Sequence, residues 1–243
     1  MDYTQKISRP RSSSRSAISL AAALTSVLLA ASSTAAQDAS IGVRVGTLGL
    51  GIEGTIRVVN PIGVRAGFNT LSLDFEGEAD DIDYAYGVDL SSGGLLVDLY
   101  LSRSGFRLTG GIMLNGNEVN LESDFVGEVE IGDSTYTDAE VGVLTGLVDF
   151  RNASPFAGFG IDTSLGKRKG LGFLFEIGIL FQGSPGLNLA ADGPVRNDSA
   201  FLVELAKEEE AAEDDLSFFK VYPVIALGVT YKFWQGKLTS GDR

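Results

Sequence analysis

The residues that can do chemistry in this sequence are carboxylates, arginines, lysines and hydroxyls, because the chain contains no Cys and no His. This composition excludes disulfides, thiolate or imidazole metal sites and every nucleophile that depends on a histidine base. A glycosidase built on carboxylates alone is the catalytic chemistry that remains, and no aromatic-lined cleft can be identified for it. We therefore predict that the protein is not an enzyme, with no catalytic residue, no cofactor and no specific metal site.

Charged residues of both signs recur at positions that alternate with apolar ones, as on strands with one apolar and one polar face. The residues predicted to point into the interior of a barrel are Glu53, Arg57, Arg65, Asp98, Arg107, Asp149, Arg151, Glu176 and Lys232. Buried charges must be paired, and the interior of a small barrel is just wide enough for side chains to fill. The main interpretation is a lumen plugged by paired charges, and the alternative is a narrow, porin-like channel for small solutes or ions.

The segment Tyr222–Phe233 shows the underlying pattern most clearly. Its odd positions, from Pro223 to Phe233, are apolar, and its even positions are mostly small or polar. This alternation predicts a strand whose apolar face meets lipid and whose other face lines a polar interior. A strand of a soluble β-sandwich is the alternative for this segment taken alone.

Similar alternation recurs along the chain and predicts eight strands. They are Thr47–Val59, Val64–Phe75, Tyr84–Leu101, Phe106–Leu114, Val141–Arg151, Ala157–Leu165, Leu171–Phe181 and Tyr222–Phe233. In the third strand the apolar positions change from even to odd, which predicts a β-bulge at Ser91–Gly94.

The first residues have the composition of a secretory signal peptide. A basic, Ser-rich opening is followed by the apolar run Ala17–Ala30 and by small residues, so we expect cleavage after Ala35 or Ala36. The apolar run is shorter than the roughly 20 residues that span a bilayer as a helix. The predicted domains are a signal peptide at 1–36 and one outer-membrane β-barrel domain at 37–243.

The segment Asn197–Phe219 changes from a period of two to helical spacing. Asp198 or Ser199 is the predicted N-cap, and an acidic run lies opposite the apolar positions of this amphipathic helix. We expect the helix to lie against the rim of the barrel. Its acidic face is interpreted as a solvated surface, with a cation-binding or partner-binding surface as the alternative.

The chain is acidic, with a formal net charge of −13. Such a surface repels nucleic acid, so no nucleic-acid partner is predicted. The acidic stretch Asp74–Asp89 lacks an ordered calcium-loop pattern, and only weak divalent cation binding at acidic loops is predicted.

Several short motifs together resemble those of a family of proteobacterial outer-membrane β-barrel proteins. The motifs are Gly46–Gly51, Val148–Arg151 with Pro155, Leu180–Pro185, and the closing stretch Phe219–Phe233. The resemblance implies an eight-stranded barrel similar in architecture to the transmembrane domain of OmpA, and it brings no catalytic residues. It also implies contact with outer-membrane lipid and recognition of the C-terminal strand by the barrel-assembly machinery.

The turn lengths predict an orientation that conflicts with the first strand. Barrels of this kind have short periplasmic turns and long outer loops, which places Asn60–Gly63 and Ser102–Gly105 in the periplasm. If Thr47–Val59 is the first of eight strands, both termini then lie outside the cell. Either Ile41–Val45 belongs to an additional or bent first strand, or the turn-length rule fails in this chain.

The predicted fold is an all-β, closed antiparallel barrel of eight strands, with one amphipathic helix before the last strand, in the outer membrane of a Gram-negative bacterium. The predicted function is a structural or interaction role in the cell envelope. A secreted, soluble, lipocalin-like binding barrel is the alternative fold, because it shares the strand count and the signal peptide.

Overall fold

The computed structural model describes residues 38–79, 82–101, 105–164 and 169–235, so the predicted signal peptide lies outside the described residues. The described residues are mostly strands. These are β1 (Asp38–Gly46), β2 (Gly49–Val59), β3 (Ile62–Ala79), β4 (Ile82–Tyr100), β5 (Phe106–Asn115), β6 (Glu118–Asp124), β7 (Glu128–Ile131), β8 (Ser134–Thr137), β9 (Leu144–Asp149), β10 (Ala153–Asp162), β11 (Gly170–Leu180), β12 (Gly186–Ala191) and β13 (Tyr222–Gln235). A short helix spans Asp138–Val141, and a long helix spans Ser199–Asp215.

Eight strands form a ring in which each strand pairs antiparallel with two neighbours. The order around the ring is β1, β2, β3, β4, β5, β10, β11 and β13, and β13 pairs again with β1. Val43 of β1 lies opposite Val229 of β13, and Leu108 of β5 lies opposite Phe159 of β10. The ring explains the alternation in the sequence, because each strand has one side toward the lumen and one side away from it.

The ring differs from the eight predicted strands in two places. Asp38–Gly46 forms β1 of the ring, before the predicted strand that began at Thr47, so the alternative that Ile41–Val45 belongs to an additional first strand is the correct one. The predicted strand Val141–Arg151 corresponds to β9, which pairs with β6 and β12 and lies outside the ring. The ring still has eight strands, because it includes β1 and excludes β9.

The β2–β3 and β4–β5 connections and both described ends of the chain lie at one end of the ring, which we call the turn end. Asp38 lies opposite Gln235 and also opposite Arg57 of β2. The turn between β2 and β3 is tied to the end of β4, since the amide of Tyr100 donates to the carbonyl of Pro61 at 2.8 Å. With β1 as the first strand, both described ends share one side with the connections from β2 to β3 and from β4 to β5, so the conflict over orientation disappears, although the two-residue turn between β1 and β2 lies at the other end.

The hairpin of β3 and β4 extends beyond the opposite end of the ring and begins a second sheet. There β4 exchanges β5 for β6, and β6, β9 and β12 continue the sheet to its far edge. We call this sheet, together with the β7–β8 hairpin and the two helices, the cap. The five strands of the cap sheet are the outer parts of β3 and β4, followed by β6, β9 and β12.

The polarity of the β3–β4 hairpin inverts where the hairpin leaves the ring. The lumen side of β3 carries Arg65 and Asn69 inside the ring, whereas the same side carries Leu73 and Phe75 in the cap. The pairing of β3 with β4 continues through this point without a register shift, so the bulge predicted at Ser91–Gly94 is wrong. The change in apolar parity follows from a change of surroundings around a regular hairpin.

The cap has its own hydrophobic core. The long helix begins at its N-cap Asp198, whose carboxylate accepts from the amides of Ala200 and Phe201. The buried residues of this core are Phe125, Ile131, Val141, Phe201 and Leu205. The long helix therefore packs on the cap sheet and the β7–β8 hairpin, and the prediction that it lies against the barrel rim is wrong.

Candidate functional site

Six charged side chains from six different strands meet in the lumen of the ring. We call them the central cluster, and each is at most 7% exposed. Its members are Arg44 of β1, Glu53 of β2, Arg65 of β3, Asp98 of β4, Arg107 of β5 and Glu176 of β11. Three guanidinium groups and three carboxylates make the central cluster neutral when all six groups are ionised.

Arg65 and Glu176 connect the central cluster. Arg65 donates from Nε to Asp98 Oδ2 at 3.1 Å and from Nη1 to Glu53 Oε2 at 3.0 Å, and its Nη2 contacts Glu176 Oε2. Glu176 also accepts from Arg44 Nη1 at 2.9 Å and from Arg107 Nη2 at 3.1 Å. Because Arg65 and Glu176 each contact three groups of opposite sign, the buried charges compensate one another.

Uncharged polar groups hold the edges of the central cluster. Asn69 Oδ1 accepts from Arg44 Nε at 2.8 Å, and the hydroxyl of Thr109 donates to Asp98 Oδ1 at 2.7 Å. Gly51 leaves room for this arrangement, since a Cβ at that position would lie 2.3 Å from Asn69 Oδ1. A glycine in the ring thus serves close packing of the lumen rather than backbone flexibility.

An apolar layer covers the central cluster toward the cap. Its buried side chains are Leu48, Leu96, Met113, Phe156, Leu180 and Val224. Tyr222 packs against this layer, and its hydroxyl donates to the carbonyl of Thr47 at 2.6 Å. The lumen therefore has an apolar plug at the cap end, which the sequence analysis did not predict.

A further ion-paired group closes the turn end. Lys232 Nζ lies 2.8 Å from Asp38 Oδ1, and Arg57 Nη1 lies 3.5 Å from Asp38 Oδ2. The guanidinium of Arg57 also lies 4.6 Å from the centroid of the Tyr100 ring. The hydroxyl of Thr230 donates to the buried carboxylate of Asp162 at 2.7 Å.

Little open space remains beside the central cluster. The cavity lined by Arg44, Glu53, Arg65 and Met113 has a volume of about 10 Å³. A space of that size holds about one water molecule. This cavity beside the charges therefore has no room for more than about one water molecule.

The structure brings most of the predicted lumen residues together. Buried in the lumen are Glu53, Arg65, Asp98, Arg107, Glu176 and Lys232, and Arg57 is half-buried at the turn end. Asp149 and Arg151 are exposed outside the ring, because Asp149 ends β9 in the cap sheet and Arg151 follows it. Both line an open polar cleft of about 730 Å³ where the ring meets the cap.

Sequence reasoning missed two charged residues of the lumen. Arg44 and Asp38 belong to β1, which was not among the eight predicted strands and entered only through the alternative for Ile41–Val45. The alternation of Ile41, Val43 and Val45 with Gly42 and Arg44 carries the signal that was available. Extending the pattern to the residues after the predicted cleavage site would have found them.

Four carboxylates of the long helix accept backbone hydrogen bonds in the cap. Glu213 Oε1 accepts from the amide of Leu187 at 2.9 Å, and Glu209 Oε1 accepts from Leu189 at 2.7 Å. Glu208 and Glu204 accept from the turn between β7 and β8. The acidic face was predicted to be a solvated surface. It instead accepts hydrogen bonds from two elements of the cap, β12 and the β7–β8 turn.

Lys207 adds charge pairing to this contact. Its Nζ lies 2.8 Å from Asp133 Oδ2 in the β7–β8 turn and 2.9 Å from Glu204 Oε1. The hydrogen bond from Lys207 holds the pKa of Asp133 below its ordinary value, and the same lysine, with the amide of Asp133, lowers the pKa of Glu204. Lys207 and Asp133 are exposed and Glu204 is half-buried, so their pairing orients the helix and adds little stability by itself.

The described part of the chain contains no metal-binding cluster and no membrane-spanning helix. Its Asp and Glu residues form no group of three or more that could hold a metal ion. The side chains of 76–84, at the centre of the acidic stretch predicted to bind divalent cations weakly, lie outside the described residues. Within the described ranges, no helix is both long and apolar enough to cross a bilayer.

The fold belongs to the class seen in outer-membrane β-barrel proteins. The structure is similar to crystal structures of Acinetobacter baumannii CarO2 (TM-score 0.55, 19% identity, 82% of this chain and 99% of that chain) and CarO (TM-score 0.52, 19% identity, 82% and 98%). At such low identity the similarity concerns the fold alone. No family model and no curated protein matches the sequence.

Proposed function

We propose that the protein is a closed, non-conducting outer-membrane β-barrel with a structural or interaction role in the cell envelope. The observation that carries this proposal is the central cluster, a neutral set of six buried charges that fills the ring from within. A conducting pore requires a continuous water path, and the central cluster and the apolar plug lie across any such path. Both features favour the closed barrel over the alternative of a narrow channel.

The outer surface of the ring supports contact with lipid. Exposed apolar side chains occur on strand after strand, including Val43, Leu95, Leu108, Phe173, Ile225 and Leu227. A soluble lipocalin-like barrel would instead bury such side chains in its interior, where this ring buries charges. The stretches of β1, β2, β5, β10 and β11 have the length of about 9 to 11 residues that suits a tilted membrane strand.

The polarity inversion of the β3–β4 hairpin supports a membrane boundary near Asn69 and Ser92. Below this level apolar side chains face away from the lumen, as lipid requires, and above it the apolar residues Leu73 and Phe75 lie on the opposite side of the hairpin. The cap then lies in water outside the cell, and the turn end lies in the periplasm. This orientation agrees with the short turns of barrel proteins on the periplasmic side.

The same proposal includes the route to the membrane and the partners predicted from the sequence. Residues 1–36 direct export, outer-membrane lipid surrounds the ring, and the barrel-assembly machinery recognises β13. Weak binding of divalent cations at the acidic loop stays a prediction, and no nucleic-acid partner is expected.

Cysteine labelling in intact cells tests the location and the orientation, since the chain has no native Cys. Val126→Cys lies on the cap, where Val126 is 82% exposed, and Asn60→Cys lies in a turn at the turn end. We expect a membrane-impermeant maleimide to label Val126→Cys in intact cells and Asn60→Cys only after the outer membrane is permeabilised. Recovery of the protein in the soluble periplasmic fraction, or the reverse labelling pattern, would contradict the proposal.

A further inference from the structure

The two edge strands of the cap sheet differ in whether another element of the chain covers them. At the β12 edge, the amides of Leu187 and Leu189 donate to Glu213 and Glu209 of the long helix. An edge strand offers unpaired backbone groups to any other strand, and these carboxylates occupy two of them. The long helix therefore covers the β12 edge.

The opposite edge of the cap sheet is β3. Its partner β2 pairs with β3 only from Ile62 to Thr70, whereas β3 continues to Ala79. Among the described strands, none pairs with this side of the segment Leu71–Ala79. We call this segment the β3 edge. It offers backbone hydrogen-bonding groups above the proposed membrane boundary.

The side chains of the β3 edge give it a chemical preference. Leu73 and Phe75 are 41% and 53% exposed on the apolar side of the sheet, beside Tyr86 of β4. On the other side Asp74 is exposed, and the sequence continues with further acids at Glu76 and Glu78. A strand that pairs here must present apolar side chains to one face and basic side chains to the other.

We propose that the β3 edge binds an extended segment of another protein by strand addition, and that this segment alternates apolar and basic residues. Backbone hydrogen bonds to β3 would provide affinity, and the alternating side chains would provide selectivity. A second copy of this chain is a poor occupant, because two acidic β3 edges repel each other. The inference does not depend on the closed lumen, since it concerns the cap alone.

Binding of a synthetic peptide to the purified full chain in detergent tests the inference. The probe is a peptide of about ten residues, the length of a long strand, that alternates lysine with valine. Its control has the same composition with all lysines in one half. We expect the alternating peptide to bind at least about tenfold more tightly than the control. A ¹³C-labelled carbonyl in the bound peptide should show the amide I shift of a β-strand.

Variants separate strand addition from simple charge attraction. Phe75→Ser and Asp74→Lys should each weaken binding of the alternating peptide by about tenfold or more, whereas Val126→Ser, at an exposed apolar residue outside the β3 edge, should leave it unchanged. Equal binding of the two peptides, binding without the amide I shift, or a Phe75→Ser variant that binds like the parent would each overturn the inference. None of these three outcomes affects the cysteine-labelling test of the membrane location.

Discussion

At the scale of single residues, the lumen depends on arginine geometry. A guanidinium presents several donors in a planar fork, so Arg65 can contact Glu53, Asp98 and Glu176 at once. A lysine would offer a single ammonium group and could not bridge carboxylates from three strands in this way. Arg at three of the six positions lets each cation of the central cluster contact carboxylates from at least two strands.

Removing Glu176 should destabilise the ring. In Glu176→Ala, three arginines face two carboxylates in a poorly hydrated space, and breaking such a buried pair costs about 3 to 5 kcal/mol. We expect a lower urea midpoint for unfolding in detergent or lipid, and a similar fall for Arg107→Ala. The matched controls are Asp149→Ala and Arg151→Ala, which remove exposed charges and should unfold like the parent. Equal midpoints for Glu176→Ala and Asp149→Ala would refute the paired lumen.

The Lys207 contact predicts a pH dependence of the cap. Because the folded-state pKa values of Asp133 and Glu204 lie below their ordinary values, their contribution to stability is present above the ordinary carboxyl pKa and is lost as the pH falls through the lowered values. In Lys207→Gln both carboxyl pKa values should rise toward the ordinary range. NMR titration of the two side-chain carboxyl carbons measures this change. Unaltered titration curves in the variant would show that Lys207 is not the cause.

The sequence predicted which charged side chains face the lumen wherever a strand had been assigned correctly. Arg65, Asp98 and Glu176 follow from alternation because each faces away from an apolar stripe. Asp149 follows the same rule in the sequence and yet meets solvent, because the apolar face of β9 packs in the cap. Alternation identifies the two faces of a strand, and it does not say whether lipid or protein covers the apolar one.

At the scale of elements, β1 and β9 have similar patterns and different surroundings. Ile41, Val43 and Val45 of β1 are exposed on the outside of the ring, whereas Val148 of β9 is buried. Pairing partners distinguish the two strands, and these are long-range contacts that no local pattern contains. The inversion along β3 and β4 was visible in the sequence as a change of parity, and its cause became clear only from the continuous register.

The long helix should protect the β12 edge. In the double variant Glu209→Ala and Glu213→Ala, the amides of Leu187 and Leu189 lose their acceptors. Each lost hydrogen bond to a charged group costs about 1.5 kcal/mol, so hydrogen exchange at these two amides should become about tenfold faster. Glu210→Ala, at an exposed position of the same helix, is the control. Unchanged exchange in the double variant would show that the carboxylates do not cover the edge.

At the scale of the whole molecule, the interior of the ring and the core of the cap differ in polarity, and the β3–β4 hairpin belongs to both. The ring buries charges and exposes apolar side chains, while the cap buries apolar side chains in the ordinary way. Composition and alternation predicted the eight-stranded ring and its apolar outer side. They did not predict the cap, since its strands β6, β9 and β12 lie in segments that resemble loops or further barrel strands.

Disulfide formation can test how the ring closes. Val43 and Val229 lie directly opposite each other on β1 and β13, and opposite residues of an antiparallel pair have Cβ atoms about 4.5 to 5.5 Å apart. The double variant Val43→Cys and Val229→Cys should therefore form a disulfide on oxidation, seen as a shift in gel mobility. Val43→Cys with Leu108→Cys, whose β1 and β5 are not neighbours in the ring, should not. Failure of the first pair or success of the second would contradict the strand order.

The central claim is that the ring is a closed barrel without a conducting path, and single-channel recording in planar bilayers tests it most directly. Insertion is first verified by protease protection of the ring. The account predicts no steady unitary conductance, because the central cluster leaves a cavity of only about 10 Å³ beside it and the apolar plug lies above. A steady conductance whose ion selectivity shifts in Arg107→Ala, while the urea midpoint of that variant equals the parent's, would contradict the claim and establish a solvated pore.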